Sequence, residues 1–163
     1  MKRARQAAAA LIVAVALASV LAGIGSADPG STVTIQEVST FAGSHQPPTG
    51  TFTAAGLPGC ASGTSGDQLV WFSPSGARLV VDRTYTCAEG GSFTVRLGLH
   101  LGVVDASGTQ ASDATWRIVS TAGALTGLQG SGSAVGIGTG CSPIGVVFAE
   151  CTGGTSTVTA SIH

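Results

Sequence analysis

Positively charged residues are scarce in this chain of 163 residues, and lysine occurs once, at Lys2. After residue 27 the chain has no lysine, four arginines and eight acidic residues, so the formal charge of that part is 4 − 8 = −4. Proteins that bind nucleic acid usually present a basic surface, and peripheral membrane proteins often carry a polybasic patch. We therefore expect no nucleic-acid partner and, once the N-terminal segment is removed, no membrane association.

Short motifs typical of metal and enzyme sites are also missing. The four cysteines form no C-x-x-C, and the three histidines are scattered, which argues against zinc or another metal. The chain has no G-x-S-x-G motif, and His45, His100 and His163 have no evident acid–serine setting. We therefore assign no catalytic residue, no metal ligand and no cofactor.

The glycine-rich run STAGALTGLQGSG, at residues 120–132, does not fit a phosphate-binding loop. Such a loop follows a strand and opens a helix, whose N-terminal amides hold the anion. Here no lysine follows and no helical pattern begins after the run. We expect TAGALTGL to form a helical turn or tight loop, and the later glycines to allow bends in a strand.

Residues 1–27 have the three parts of a secretory signal peptide. MKRAR is basic, AAAALIVAVALASVLAG is apolar, and Gly25-Ser26-Ala27 supplies small residues for cleavage near Ala27. A retained membrane anchor is the alternative, because the apolar run approaches the length that spans a bilayer. The alanine-rich run and its small-residue end favour cleavage, so we predict a secreted, extracellular protein.

Four cysteines follow the signal segment, as expected for a protein in an oxidising compartment. Three pairings can be drawn among them. We predict the disulfides Cys60–Cys87 and Cys141–Cys151, because each pair closes a local loop and the two pairs flank different parts of the chain.

Apolar and polar residues alternate along most of the remaining chain, and no stretch shows a convincing 3.6-residue period. In SFTVRLGLHLGVV every second side chain from Phe93 to Val103 is apolar, as on one face of a strand. Similar patterns predict strands in TVTIQEV (32–38), TGTFTAAG (49–56), DQLVWFS (67–73), ARLVVDRTYTC (77–87), DATWRIVS (113–120), SGSAVGIG (131–138) and TSTVTASI (155–162).

Closely spaced strands without helices predict an all-β fold. We expect a small antiparallel eight-stranded barrel, since closure removes exposed sheet edges, with a two-sheet β-sandwich as the alternative. The predicted organisation is a signal peptide (1–27), an N-terminal segment with one strand (28–48) and a disulfide-stapled β-barrel domain (49–163).

The hairpin around AEGG allows a prediction of register. A three-residue loop, Glu89-Gly90-Gly91, keeps like faces together and sets Tyr85 opposite Val95 and Arg83 opposite Leu97. The same register places Asp82 diagonal to Arg96 on the outer face, close enough for a surface ion pair.

The run TWRIVSTAGALTGLQGSG resembles a signature of small secreted bacterial proteins. Its matching residues are Trp116, Ile118, Gly123, Leu125, Gly127, Leu128, Gly130 and Gly132. CASGT and YTCAEGGSFTVRL are similar to the same group, and the resemblance spans residues 49–135. It implies an actinobacterial-type barrel of the allene-oxide-cyclase and dirigent-like class, and it carries the Cys60–Cys87 pairing with it. It implies no reaction, because this chain lacks the asparagine of the plant allene oxide cyclase pocket.

Arg83 is the most informative single residue, because it shares a strand face with Leu79, Val81 and Tyr85. The simpler interpretation is an arginine near a strand end whose stem packs while its head reaches water. In the functional interpretation, Arg83 lies at a pocket mouth and fixes an acidic or polar ligand. The candidate ligand-binding residues are Arg83, Tyr85, Trp71 and Trp116.

These observations predict an exported barrel that is non-catalytic and binds a small apolar ligand or acts at the cell surface. The alternative is an isomerase or cyclase that uses the barrel pocket, which the resemblance allows although it does not imply a reaction. Conversion of an added substrate, abolished by substitution of Arg83 or Tyr85, would favour the enzyme.

Overall fold

The structure is a computed structural model that describes residues 30–41, 47–147 and 149–163. The predicted signal peptide and His45 lie outside these ranges. The described residues form eight strands and one short 3-10 helix. The elements are β1 (Ser31–Thr40), β2 (Thr49–Ala55), β3 (Ser62–Phe72), β4 (Arg78–Cys87), β5 (Ser92–Leu101), β6 (Gln110–Ala122), the 3-10 helix (Gly123–Leu125), β7 (Gly130–Thr139) and β8 (Gly153–Ile162).

The eight strands close into an antiparallel barrel in sequence order. Closure comes from β1, which pairs with β8 from Ser31↔Ile162 to Thr40↔Gly153. The predicted barrel is therefore confirmed and the sandwich alternative is excluded. The strand expected in the N-terminal segment is an integral part of the barrel, which begins at Ser31 rather than at residue 49.

The predicted register of the β4–β5 hairpin is wrong by two residues. The loop is Ala88-Glu89-Gly90, and Gly91 lies in the paired part of the hairpin. The Cys87 amide donates a hydrogen bond to the Gly91 carbonyl over 3.1 Å. Tyr85 therefore lies opposite Phe93, and Arg83 lies opposite Val95. Because the shift is even, every side chain keeps its predicted face.

The outer face of this hairpin carries the predicted ion pair. Asp82 lies directly opposite Arg96 rather than diagonal to it. Both carboxylate oxygens of Asp82 accept hydrogen bonds from the Arg96 guanidinium at 2.7 Å. The hydrogen bonds from Arg96, together with its charge, lower the pKa of Asp82 despite some desolvation.

The two ends of the barrel differ. At the closed end, the connections 56–61, 88–91 and 123–129 cover the interior, and Leu57 and Leu125 are buried there. The helical turn predicted from TAGALTGL is confirmed as the 3-10 helix, and it supplies Leu125. At the open end lie the described residues of the other connections, namely 41, 47–48, 73–77, 102–109, 140–147 and 149–152.

The half of the barrel near the closed end is filled by large side chains. Tyr85 is fully buried, and its ring stacks on Phe93 at 4.9 Å and meets Phe52 edge-on at 5.0 Å between centroids. Aliphatic residues from β1 and β8, among them Ile35 and Val158, complete this core.

Both predicted disulfides are present. Cys60–Cys87 ties the β2–β3 connection to the end of β4, and both of its cysteines belong to the hydrophobic core. Cys141–Cys151 lies within the long connection between β7 and β8 at the open end. One disulfide therefore stabilises each end of the barrel.

In residues 30–41, 47–147 and 149–163, no helix has the length and apolar character needed to cross a membrane.

Candidate functional site

The half of the barrel near the open end contains a cavity of about 570 Å³. Large aliphatic side chains form one side of its wall, and small residues form the other side. Strands β4 and β5 contribute Leu79, Val81, Leu97, Leu99 and Leu101, whereas β6, β7 and β8 contribute Ala114, Ala134, Gly136, Gly138 and Gly154.

The glycines of β7 explain why this space is open. Strand β7 pairs with both neighbours without a register shift, so no β-bulge interrupts it at these glycines. Gly136 and Gly138 occupy cavity-lining positions. A Cβ atom would lie 2.8 Å from the Ser112 hydroxyl at Gly136 and 2.9 Å from the Cys151 sulfur at Gly138. A side chain here would collide with the neighbouring Ser112 or with the Cys141–Cys151 disulfide, or would enter the cavity.

Arg83 forms the floor of the cavity together with two carboxylates. Its Nε and Nη2 donate to the two oxygens of Asp67 at 2.5 and 2.6 Å. Its Nη1 donates to Glu37 Oε2 at 2.6 Å and more weakly to the Ser156 hydroxyl at 3.4 Å. Bidentate pairing of this kind fixes the guanidinium plane, so Arg83 is held rigidly between β1 and β3.

Glu37 is the deeper of the two floor carboxylates, and both of its oxygens accept hydrogen bonds. Ser39 and Ser65 donate to Oε1 at 3.0 and 2.5 Å. Arg83, the Tyr85 hydroxyl and the Ser156 hydroxyl lie 2.6, 3.3 and 3.3 Å from Oε2. These hydrogen bonds compensate the Glu37 side chain for its lost hydration.

The electrostatics of the floor keep Arg83 charged and Tyr85 neutral. Burial by itself lowers the pKa of Arg83, but the hydrogen bonds and charge of Asp67 and the charge of Glu37 outweigh it, so that pKa is raised. Burial raises the pKa of Tyr85 well above its usual range; Arg83 opposes this, and Glu37 adds to it. Tyr85 therefore acts as a hydrogen-bond donor and not as a base.

The rim of the cavity is built from the connections at the open end. Phe41, Pro47 and Pro48 line one side of it, and Glu150 and Cys151 line another. The Gln110 side-chain amide donates to the carbonyls of Gly102 and Val147, which joins two of these connections.

The structure does not bring the four predicted ligand-binding residues together. Arg83 lines the cavity, but Tyr85 lies below it in the core. Trp116 is also buried in the core, where its indole N–H donates to the Ser133 carbonyl at 3.2 Å. A register shift between Leu69 and Trp71 pairs Trp71 with Val80, and its side chain is half exposed.

The sequence analysis missed Glu37 and Asp67, although a signal for Glu37 was present. In TVTIQEV, Glu37 falls on the same alternating face as Val33 and Ile35, which are buried. A charge on a buried strand face requires an opposite charge nearby, and Arg83 also lay on an apolar face. Matching buried-face charges between strands would have predicted the Glu37–Arg83 pair.

The polar groups that line the cavity are carboxylates, hydroxyls, a side-chain amide and a guanidinium. Within the described ranges, no three His, Cys, Asp or Glu side chains are grouped so as to hold a metal ion. His100 is exposed on the outer surface, 3.6 Å from Asp113, and has no part in the cavity lining. The fold and the cavity thus define a closed eight-stranded barrel with one half of its interior open.

No protein-family description matches this chain, and neither curated proteins nor solved structures show a significant similarity to it. The resemblance to the allene-oxide-cyclase and dirigent-like class therefore stays a prediction.

Proposed function

We propose that this chain is a secreted, non-catalytic binding protein that holds a small, largely apolar ligand in the barrel cavity. The observation that carries the proposal is the cavity of about 570 Å³ with leucine and valine walls above a floor of hydrogen-bonded charged groups. Ligand pockets in proteins typically measure about 300–1,000 Å³ and combine apolar walls with a few fixed polar groups. The cavity has both properties.

Two further observations support this assignment. The two disulfides fit a protein that works in an oxidising compartment outside the cytosol. Catalysis by an isomerase or cyclase is disfavoured because the Tyr85 hydroxyl is buried beneath the floor and donates to Glu37. A general acid or base has to reach the bound substrate, and Tyr85 does not line the cavity.

A matched pair of phenylalanine substitutions on β6 tests the binding site. Ser112 lines the cavity, and Thr115 lies on the exposed face of the same strand. Ser112→Phe should fill the cavity and weaken binding of the neutral apolar dye Nile red at least about tenfold. Thr115→Phe should leave the affinity unchanged, and circular dichroism should show that both variants fold. Equal affinity of the two variants, or no binding by the wild-type protein, would contradict the proposal.

A further inference from the structure

Building on the proposed binding function, we propose that the cavity selects an apolar ligand with a cationic head group, such as an alkylammonium ion, over one with an anionic head group. The geometry of the floor carries this assignment.

Arg83 already serves two protein carboxylates, so an anionic ligand would have to compete with them for it. Its Nε, Nη1 and Nη2 all donate to Asp67 or Glu37 at 2.5–2.6 Å. Capture of a ligand carboxylate by Arg83 would therefore require displacement of a protein carboxylate from a buried pair. Removing one partner of a buried ion pair is strongly unfavourable, because the other charge is left uncompensated.

The floor has an excess of negative charge. One guanidinium faces two carboxylates, which gives a formal charge of −1 within a group whose side chains are about one-tenth exposed or less. Among the described residues that line the cavity, Arg83 is the one cation, whereas Asp67 on the floor and Glu150 at the rim are acidic. Because charges interact more strongly where water is displaced, this imbalance favours a positive ligand group.

Asp67 supplies the acceptor that a cationic head group needs. It lines the cavity, and each of its oxygens accepts one hydrogen bond from Arg83. A carboxylate has about four lone-pair sites, so Asp67 keeps acceptor capacity toward the cavity. By contrast, the nearby donors of Ser39, Ser156 and Gln110 are already directed to Glu37 or to backbone carbonyls.

The Ser112 hydroxyl on the wall does not change this preference. It is neutral and can either donate or accept, so it serves any head group. The discrimination therefore depends on the floor and not on the walls, which contact the apolar tail.

The test compares three probes with the same tail, namely decylamine, decanol and decanoate, at neutral pH, where the amine is protonated and the carboxylate is ionised. We expect the purified protein to bind decylamine at least about tenfold more tightly than decanoate, with decanol between them, in a Nile red displacement titration. Equal affinities, or tightest binding of decanoate, would overturn the head-group assignment and leave the binding function standing. Failure of all three probes to bind would overturn both.

Variants locate the selecting charge. In Asp67→Asn, Arg83 keeps Glu37 as its partner and the excess negative charge is removed, so the decylamine-to-decanoate affinity ratio should fall toward one. Glu89→Gln is the matched control, because Glu89 lies in the loop at the closed end, far from the cavity lining. If Asp67→Asn does not fold, Glu150→Gln at the rim should lower the ratio in the same direction by a smaller factor. A ratio unchanged in every folded variant would overturn the proposal.

Discussion

The same strands build both halves of the barrel, but the interior is filled by side chains near the closed end and holds a cavity near the open end. Along β5, Phe93 and Val95 fill the half near the closed end, whereas Leu99 lines the cavity in the other half. Along β8, Val158 is buried in the core, while Gly154 lines the cavity. The boundary between the halves is the polar floor around Arg83. The comparison teaches that the cavity results from small inward residues on β6, β7 and β8 and needs no separate domain.

The packed core of the filled half supports the polar floor of the open half. Arg83 contacts Glu37 on its lower side, and Glu37 in turn accepts the hydrogen bond of Tyr85, whose ring packs in the aromatic core. A rigid core below therefore fixes the polar atoms that face the cavity above. Binding sites require support of this kind, because loosely held polar groups lose affinity when they are ordered.

The largest expected effect comes from breaking the boundary between the halves. Arg83→Leu leaves Glu37 and Asp67 buried without their cation and should lower the free energy of unfolding by about 3–5 kcal/mol. Arg96→Leu is the control, because it removes an arginine with a similar bidentate pair from the exposed outer face. Urea melts of the two variants measure the contrast. A small loss for Arg83→Leu would mean that the floor is not a buried ion pair.

The sequence predicts the barrel well because strand alternation is a local property. Residues from Phe93 to Val103 alternate strictly, and the odd-numbered side chains from Phe93 to Leu99 lie inside as expected. The predicted register of the β4–β5 hairpin was wrong by two residues, because Gly91 was assigned to the loop. Whether a glycine belongs to the loop or to the paired strand depends on its backbone conformation, and Gly91 has φ +93°. Alternation alone is unaffected by an even shift.

The candidate site was less predictable because it depends on contacts between distant strands. Glu37 and Arg83 are 46 residues apart in the chain. Trp71 illustrates a second reason, since an irregularity at Val70 changes the pairing after Leu69, and no local pattern in DQLVWFS indicates it. Arg83 was recognised because its own strand shows an apolar face, which is again a local signal.

A pair of equal deletions compares the packing of the two halves directly. Ile35 and Leu99 have side chains with the same number of carbon atoms, but Ile35 is 1% exposed in the filled half and Leu99 lines the cavity. Ile35→Ala should cost about 2–5 kcal/mol, because it creates a hole in a packed core. Leu99→Ala should cost about 1–2 kcal/mol, since part of its side chain already faces open space. Denaturant melts should therefore show a larger loss of stability for Ile35→Ala than for Leu99→Ala. A larger loss for Leu99→Ala would contradict the assignment of the packed core to the closed end and of the cavity to the open end.

The smallest contrast in stability is expected between the two disulfides, one at each end. Their cysteines are 27 and 10 residues apart. The chain-entropy relation gives losses of about 3.5 kcal/mol for Cys60→Ala/Cys87→Ala and about 2.7 kcal/mol for Cys141→Ala/Cys151→Ala, a difference below about 1 kcal/mol.

Ligand binding should separate the same two variants more clearly than stability does. Cys151 lines the cavity beside Gly138, so the Cys141→Ala/Cys151→Ala variant loosens the rim and should bind Nile red more weakly. Cys60 and Cys87 lie in the core at the closed end, so their variant should keep its affinity as long as it remains folded. Urea melts at a fixed temperature and dye titrations of both proteins provide the measurements. Weaker binding by the Cys60→Ala/Cys87→Ala variant alone would contradict the division of the barrel into a supporting half and a binding half.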